Sequence, residues 1–378
     1  TVVHVHVSYL PTPAHVGEPK TKPTQLSVKQ LNAMSIQPDF LVARSETLVD
    51  KRRLDRLALF CNVHKDDIIL NPDQKTIYQV PLSFHEQGFD TKVLAKLGLP
   101  DREADLSAWE QLVSRTLSSD RASVTLAIVG KYFGTGDYNL HDSYHALFEA
   151  LDHASIAQGV KLNIKSINSA RLEKEGTSAL EKVQGIIVPI GWGARGTEGK
   201  IMAIQYAREH KIPYLGLCYG LQLAAVEFAR NVVGLKTANS TEIDPATVDP
   251  IIHDIPFDPK YQRIKGNGSS MRLGAYDCLL KEGTLAAKIY GTTQISERHR
   301  HRYEVNNKYR DILSQHGFVI SGTSPDDFFV EMIELPTSVH PFFLATQAHP
   351  EYKSRPLAPH PVFAAFLQAV QQQGKITS

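Results

Sequence analysis

The stretch PYLGLCYGLQ, residues 213–222, sets one cysteine between two glycines in a chain whose only cysteines are Cys61, Cys218 and Cys278. Gly216-Leu217-Cys218-Tyr219-Gly220 has the form of a nucleophile elbow, in which glycines let the backbone pack closely around a residue held in a strained turn. A helix starting directly after Cys218 would favour the thiolate, because its free N–H groups and dipole stabilise negative charge. The alternative is a buried structural cysteine, the commoner fate of free thiols. A thiolate nucleophile needs a base and a group that orients the base. QAHPEY, residues 347–352, offers His349 and Glu351 at i, i+2. On an extended segment the two side chains would point the same way, Glu351 holding the imidazole that faces the thiol. Cys218, His349 and Glu351 then form a triad for acyl transfer from an amide or ester.

Such a triad needs a sheet to carry it. SVTLAIVG, VKLNIKSI, VQGIIVPIGWG and PYLGL read as strands. HDSYHALFEALDHASIAQG, GKIMAIQYAREH and GLQLAAVEFARNVVG read as helices, the last closed by Gly234. This alternation predicts βαβ units and a doubly wound, mostly parallel α/β sheet covered on both faces. After about residue 270 shorter strands follow, including MRLGAYDCLL, RHRHRYEVN and FFLATQAHPE, and HPVFAAFLQAVQQQ closes the chain as a helix. GKYFGTGD, residues 130–137, reads as a strand-end turn.

The first part is also α/β. Val3, Val5 and Val7 alternate with His4 and His6 in an opening strand. The two histidines read as solvated or hydrogen-bonded rather than metal ligands, having no third ligand nearby. Helices are predicted at LSVKQLNAM and DKRRLDRLALF, strands at DFLVAR and DIILNP, a short strand at TIYQVPL, and helical structure over 92–118. The polar SSDRAS places a domain boundary between 1–118 and 119–378. The chain opens at Thr1 directly on a strand, so an entry partway through a domain is expected.

Composition excludes several classes. Apolar content of 42% and charged content of 21% are those of an ordinary globular protein. A net charge of +1 gives no global pull toward nucleic acid or membrane. Three widely spaced cysteines do not make a disulfide framework, and a reducing, cytoplasmic setting is expected.

GLCYGLQLAAVEFARNVVGLKTANSTE, GARGTEGK, MRLGAYDC, ERHRHRYEVN and QAHPEYKSRP together resemble the class I glutamine amidotransferase domain of the CTP synthase family. KTKPTQLSVKQL, FLVARSETL and ALFCNV resemble the later portion of that family's amidoligase domain. The resemblance implies a glutamine-dependent ligase of pyrimidine biosynthesis. Cys218 would attack the glutamine amide, His349 shuttle the proton and Glu351 orient it. Gly191, Gln222, Glu242 and Arg302 match glutamine-holding positions, and a carboxylate for an ammonium and a guanidinium for a carboxylate suit an amino acid. Lys20, Lys22 and Gln25 match the UTP-binding loop, and Arg56 a further phosphate-binding position. Asp73 falls in the stretch implied to contact adenine. ATP and Mg²⁺ are implied as co-substrate and ion, GTP as an allosteric activator, UTP and CTP as ligands, and a homo-oligomer, a tetramer, as the assembly, with filament formation left open. No metal ligand is expected in this chain, and no nucleic-acid or membrane partner.

Two departures stand out. The family's oxyanion loop reads Pro-Gly-Gly-Phe-Gly, where this chain has Pro189-Ile190-Gly191-Trp192-Gly193. The N–H groups of Ile190 and Tyr219 are the implied oxyanion donors, and a positive φ at Ile190 would be strongly disfavoured. The family's N-terminal P-loop has no counterpart here, since no GxxxxGK[ST] occurs. The segment 250–270 ends in GNGSS where the family has glycine pairs, so the resemblance assigns no residue to GTP. A stand-alone γ-glutamyl hydrolase and a non-catalytic regulatory or assembly module remain open as alternatives.

Overall fold

The computed structural model describes residues 1–135, 138–139, 141–256 and 271–376. Parts of the turn GKYFGTGD and of the segment 250–270 lie outside the described residues. The chain divides into two compact units, Thr1–Ser119 and Asp120–Ser378.

The first unit carries three parallel strands, β1 (Val5–Leu10), β2 (Phe40–Ser45) and β3 (Ile68–Pro72), in that order across the sheet. Helix α1 (Lys22–Ala33) links β1 to β2, and α2 (Lys51–Cys61) links β2 to β3. Asp50 caps α2 by accepting from the Arg53 N–H at 2.8 Å, and Asn62 ends it in a left-handed conformation. Leu10, Val28, Leu41, Leu57 and Ile68 share the core. The alternation in β1 is present with its apolar face outward: Val5, Val7 and Tyr9 are exposed, while Leu10 is buried. His6 bonds Ser27 Oγ at 3.0 Å, and His4 is exposed.

TIYQVPL is not a strand. Thr76 Oγ1 accepts from the Tyr78 N–H, and Pro81 sits in the first turn of a helix over Val80–Glu86, where its missing N–H costs nothing. The helical stretch expected over 92–118 is two helices, Phe89–Leu97 and Ser107–Leu117, separated where Gly98 takes a left-handed conformation before Pro100.

The second unit is built on a nine-stranded sheet. Its strands in chain order are β4 (Ala122–Gly130), β5 (Val160–Asn168), β6 (Gly185–Val188), β7 (Tyr214–Leu217), β8 (Arg272–Leu280), β9 (Gln294–His301), β10 (Val319–Thr323), β11 (Val330–Glu334) and β12 (Phe343–Thr346). The spatial order is β9-β8-β10-β11-β12-β7-β6-β4-β5. From β12 to β5 every pairing is parallel, and from β9 to β12 every pairing is antiparallel. The parallel half follows from the strand–helix alternation, and the antiparallel half from the short strands after residue 270.

Helices α3 (His145–Gln158), α4 (Thr197–Glu209), α5 (Tyr219–Phe228) and α6 (Pro361–Ile376) cover the parallel half. One apolar layer gathers α4 and α5, with Ile201, Ile204, Leu221 and Leu223, on one face. The other gathers α3 and α6, with Leu147, Leu151, Phe363 and Phe366, on the opposite face. The helix expected over HDSYHALFEAL starts only at His145, after a tight turn at His141–Tyr144. Beyond Phe228, α5 continues as a turn of π-helix, Ala229–Val233, and stops at Gly234 in the left-handed region. No described helix is long and apolar enough to cross a membrane.

Candidate active site

Strand β7 ends at Leu217 and α5 begins at Tyr219, leaving Cys218 alone at the bend with φ 54° and ψ −98°. A positive φ is costly for a residue with a Cβ, so the surroundings must hold it there. The flanking glycines show how. A Cβ at Gly220 would lie 2.1 Å from the Val188 carbonyl oxygen. At Gly216 it would lie 2.6 Å from the Tyr214 hydroxyl and 2.8 Å from Ala345 Cβ. The elbow is thus wedged against β6 on one side and β12 on the other. The Cys218 N–H donates to the Thr346 carbonyl at 2.7 Å, tying the bend to the end of β12.

His349 and Glu351 follow β12 directly. His349 Nδ1 and Glu351 Oε1 are 2.8 Å apart, and both residues are buried. The contact does not come from extended backbone, as the spacing suggested. Pro350 starts a short turn, Pro350–Lys353, that folds the carboxylate back onto the ring. The His349 N–H donates to the Arg298 carbonyl of β9 at 2.7 Å, fixing the ring's backbone from the antiparallel half. Burial by itself lowers the imidazole pKa, but the charges of Glu351 and Cys218 overcome it and hold His349 well above its ordinary value. Nε2 meets no partner among the described residues other than Cys218, whose hydrogen bond helps keep the ring charged, so this nitrogen faces the reacting group.

The sulfur has two further neighbours. Its S–H reaches the Arg300 carbonyl at 3.9 Å, and the Gln347 side-chain amide donates to it at 3.5 Å. Gln347 in turn accepts from Gln222 Nε2 at 3.1 Å, and Gln222 also donates to the Tyr303 carbonyl at 2.9 Å. Gln222 therefore sits beside the nucleophile with its amide N–H groups committed to the protein.

The loop after β6 carries the other residues expected at the site. Ile190 is half-buried against the α3–α6 layer and is not among the residues with positive φ; in this loop Gly193 takes that conformation, at 67°. The backbone strain expected at Ile190 is therefore absent. Gly191 is held to glycine by space, since a Cβ there would lie 2.8 Å from Lys131 Cδ and 3.0 Å from the Tyr219 ring. Glu242 Oε1 accepts from the Gly193 N–H at 2.8 Å. Burial raises the Glu242 pKa, opposed by that hydrogen bond and by the positive charges of Lys131 and Arg302. Glu242 and Arg302 thus lie within electrostatic reach of each other beside the loop. Along β9, Arg298 and Arg300 are exposed while His299 and His301 are buried; the strand ends at His301, and Arg302 is half-buried beyond it.

Sequence reasoning missed Gln347, Lys131 and Lys200. Lys131 directly follows the end of β4, and a lysine at the carboxyl end of a parallel strand was the available signal.

In the first unit, Lys20, Lys22 and Arg56 come together with Arg52 and Arg53 around a cavity of about 410 Å³ between the starts of α1 and α2. Its two carboxylates are engaged: Glu18 pairs with Lys20 at 2.6 Å and with Arg53, and Asp50 pairs with Arg53. Gln25 lies outside the lining and donates to Thr21 Oγ1 at 3.1 Å. Asp73 is also elsewhere, paired with Arg44 at 3.2 Å near the end of β3. Among the described residues no group of three or more His, Cys, Asp or Glu is placed to hold a metal ion.

The family model "Glutamine amidotransferase class-I" matches residues 139–369, and "CTP synthase N-terminus" matches residues 1–99. The CTP synthase of Carboxydothermus hydrogenoformans is 50% identical over 376 residues, covering 99% of this chain and 68% of that protein. That of Methanocaldococcus jannaschii is 48% identical over 375 residues, covering 97% of this chain and 67% of that protein. The solved glutaminase domain of Trypanosoma brucei CTP synthase, with bound acivicin, is 37% identical with a TM-score of 0.59, covering 66% of this chain and 94% of that one. With half its residues shared over nearly its whole length, and both family models matched in order, the chain belongs to the CTP synthase family.

Proposed function

We propose that this chain hydrolyses glutamine at Cys218 and supplies the ammonia for ATP-dependent amination of UTP to CTP. The observation that carries the reading is the elbow: Cys218 at positive φ beside an imidazole that Glu351 holds at 2.8 Å. The Cys218 thiolate attacks the side-chain amide carbon of glutamine. The amide oxygen becomes an oxyanion facing the N–H groups of Ile190 and Tyr219. His349 gives a proton to the leaving nitrogen, releasing ammonia and a γ-glutamyl thioester. Water, deprotonated by His349, then attacks the thioester and returns Cys218. Glu242 suits the substrate ammonium and Arg302 its carboxylate, with Gly191 and Gln222 lining the approach.

The basic cavity suits a UTP triphosphate, met by Lys20, Lys22 and Arg56 and by the added guanidinium of Arg52. Its carboxylates already serve Lys20 and Arg53, and that arrangement does not fit a magnesium site. ATP contacts, GTP activation and a tetrameric assembly are carried as proposals from the family.

The test is ammonia release from glutamine, with and without GTP, beside CTP formation from free ammonia. Cys218→Ala should abolish the first and spare the second in the whole enzyme. Loss of both in a folded variant would sink the scheme of separate sites.

A further inference from the structure

Two lysines grip the loop after β6 from within the core. Lys200, wholly buried on α4, donates from Nζ to the Pro189 carbonyl at 2.6 Å and to the Ile190 carbonyl at 3.3 Å. Lys131, equally buried, donates to the Gly193 carbonyl at 2.7 Å and to the Trp192 carbonyl. Each ammonium lies 5.3 Å from the centre of the Tyr219 ring, so the two lysines flank the residue after the nucleophile. Charging two buried amines this close to each other is costly, so packing alone does not account for them.

Their partners explain the cost. In a trans peptide the N–H of one residue points opposite to the carbonyl of the residue before it. The Trp192 carbonyl faces Lys131, and the Gly193 N–H accordingly points away, to Glu242 at 2.8 Å. The Trp192 N–H is taken by the Tyr132 hydroxyl at 3.1 Å. With the Pro189 and Ile190 carbonyls held by Lys200, the N–H groups of Ile190 and Gly191 must point the other way. No described residue accepts from either.

We propose that Lys131 and Lys200 are positioning residues of the oxyanion loop, fixing its carbonyls so that the Ile190 N–H, together with that of Tyr219, faces the reacting carbonyl oxygen and the Gly191 N–H is left turned toward the substrate. The clamp replaces the conformational freedom of a second glycine, which is how isoleucine stands at position 190 with an ordinary φ. Burial pushes Lys131 down to about 8 and Lys200 well below its usual value. A neutral amine still keeps two N–H donors, enough for the two carbonyls that each lysine binds.

This inference rests on the reading of Cys218 as nucleophile, and its test separates the two. Lys200→Met and Lys131→Met keep the length and remove the donors. In each, kcat for glutamine hydrolysis should fall about 100-fold, the usual effect of a lost oxyanion donor. KM, and the rate at which iodoacetamide alkylates Cys218 without forming an oxyanion, should stay within about threefold. Backbone amide exchange in residues 186–196 should become faster. An unchanged kcat, or alkylation falling along with kcat, would overturn the proposal, as would failure of both variants to fold. Should the parent protein hydrolyse no glutamine, the glutaminase reading falls, and amide exchange alone decides the clamp: faster supports it, unchanged overturns it.

Discussion

His349 Nδ1 and Glu351 Oε1 stand 2.8 Å apart, both buried, with only Pro350 between them in the chain. The carboxylate is near enough to fix the ring's tautomer and to favour its charged form. Burial works against that charge, and the carboxylate and Cys218 outweigh it, so the imidazole pKa is raised above its ordinary 6.5. A group raised in this way contributes stability fully below 6.5, and the contribution is lost as pH rises through the folded-state value. Tm should therefore decline with pH above neutrality, and Glu351→Gln should flatten the decline. The same variant should move the alkaline limb of the kcat/KM profile to lower pH and cut the rate roughly 10²–10⁴-fold. An unmoved limb would detach Glu351 from the imidazole.

Cys218 carries backbone strain that its chemistry requires. Cys218→Gly removes both the nucleophile and the Cβ that disfavours φ 54°. Relief of about 1–3 kcal/mol is set against loss of a small buried side chain. The variant should be inactive toward glutamine yet more stable by about 1 kcal/mol, read from its urea midpoint. Lower stability would mean that the bend is not strained.

Gly220→Ala tests the wedge from the other side. A Cβ 2.1 Å from the Val188 carbonyl oxygen has only backbone to push against. The elbow or β6 must move, and destabilisation of about 3 kcal/mol or more is expected. Thermal unfolding within a degree of the parent would contradict the geometry.

Ile190→Gly probes the departure in the oxyanion loop. Because Ile190 already has an ordinary φ and packs on the α3–α6 layer, glycine offers the loop nothing. The glutaminase kcat should fail to rise, and the melting temperature should drop. A rise in kcat would show that the isoleucine does hinder the oxyanion site.

Lys20→Glu and Lys22→Glu reverse charges at the cavity between α1 and α2. Each lost charge-assisted contact is worth about 1.5–3 kcal/mol, so KM for UTP should rise by tenfold or more. Glutamine hydrolysis measured without nucleotide should not change. Unaltered UTP affinity would remove these lysines from the site.

The elbow was legible because its requirements are local: two glycines, a strand before, a helix after. The His349–Glu351 pair was legible as a pair, though by the wrong backbone, since nothing in QAHPEY says that Pro350 opens a turn. TIYQVPL shows the limit of local pattern, because Pro81 is as acceptable in a first helical turn as in a strand-end loop. The outward apolar face of β1 shows another: period two fixes which residues share a face but not which face is covered. Lys131, Lys200 and Gln347 could not be found by spacing, since what they recognise is backbone carbonyls or a sulfur far away in sequence.

Cys218 and Thr346 are joined by a single backbone hydrogen bond of 2.7 Å across neighbouring parallel strands. The nucleophile stands at the end of one strand and its base just past the end of the other. The gap between them is therefore set in large part by the spacing of neighbouring strands in the ladder, about 4.8 Å. Side-chain substitutions elsewhere can tune rate and affinity, but they have little purchase on that gap. The two strand ends form a transplantable cassette, and any parallel sheet able to seat both, with a glycine on each side of the cysteine, inherits the ruler along with the reagents.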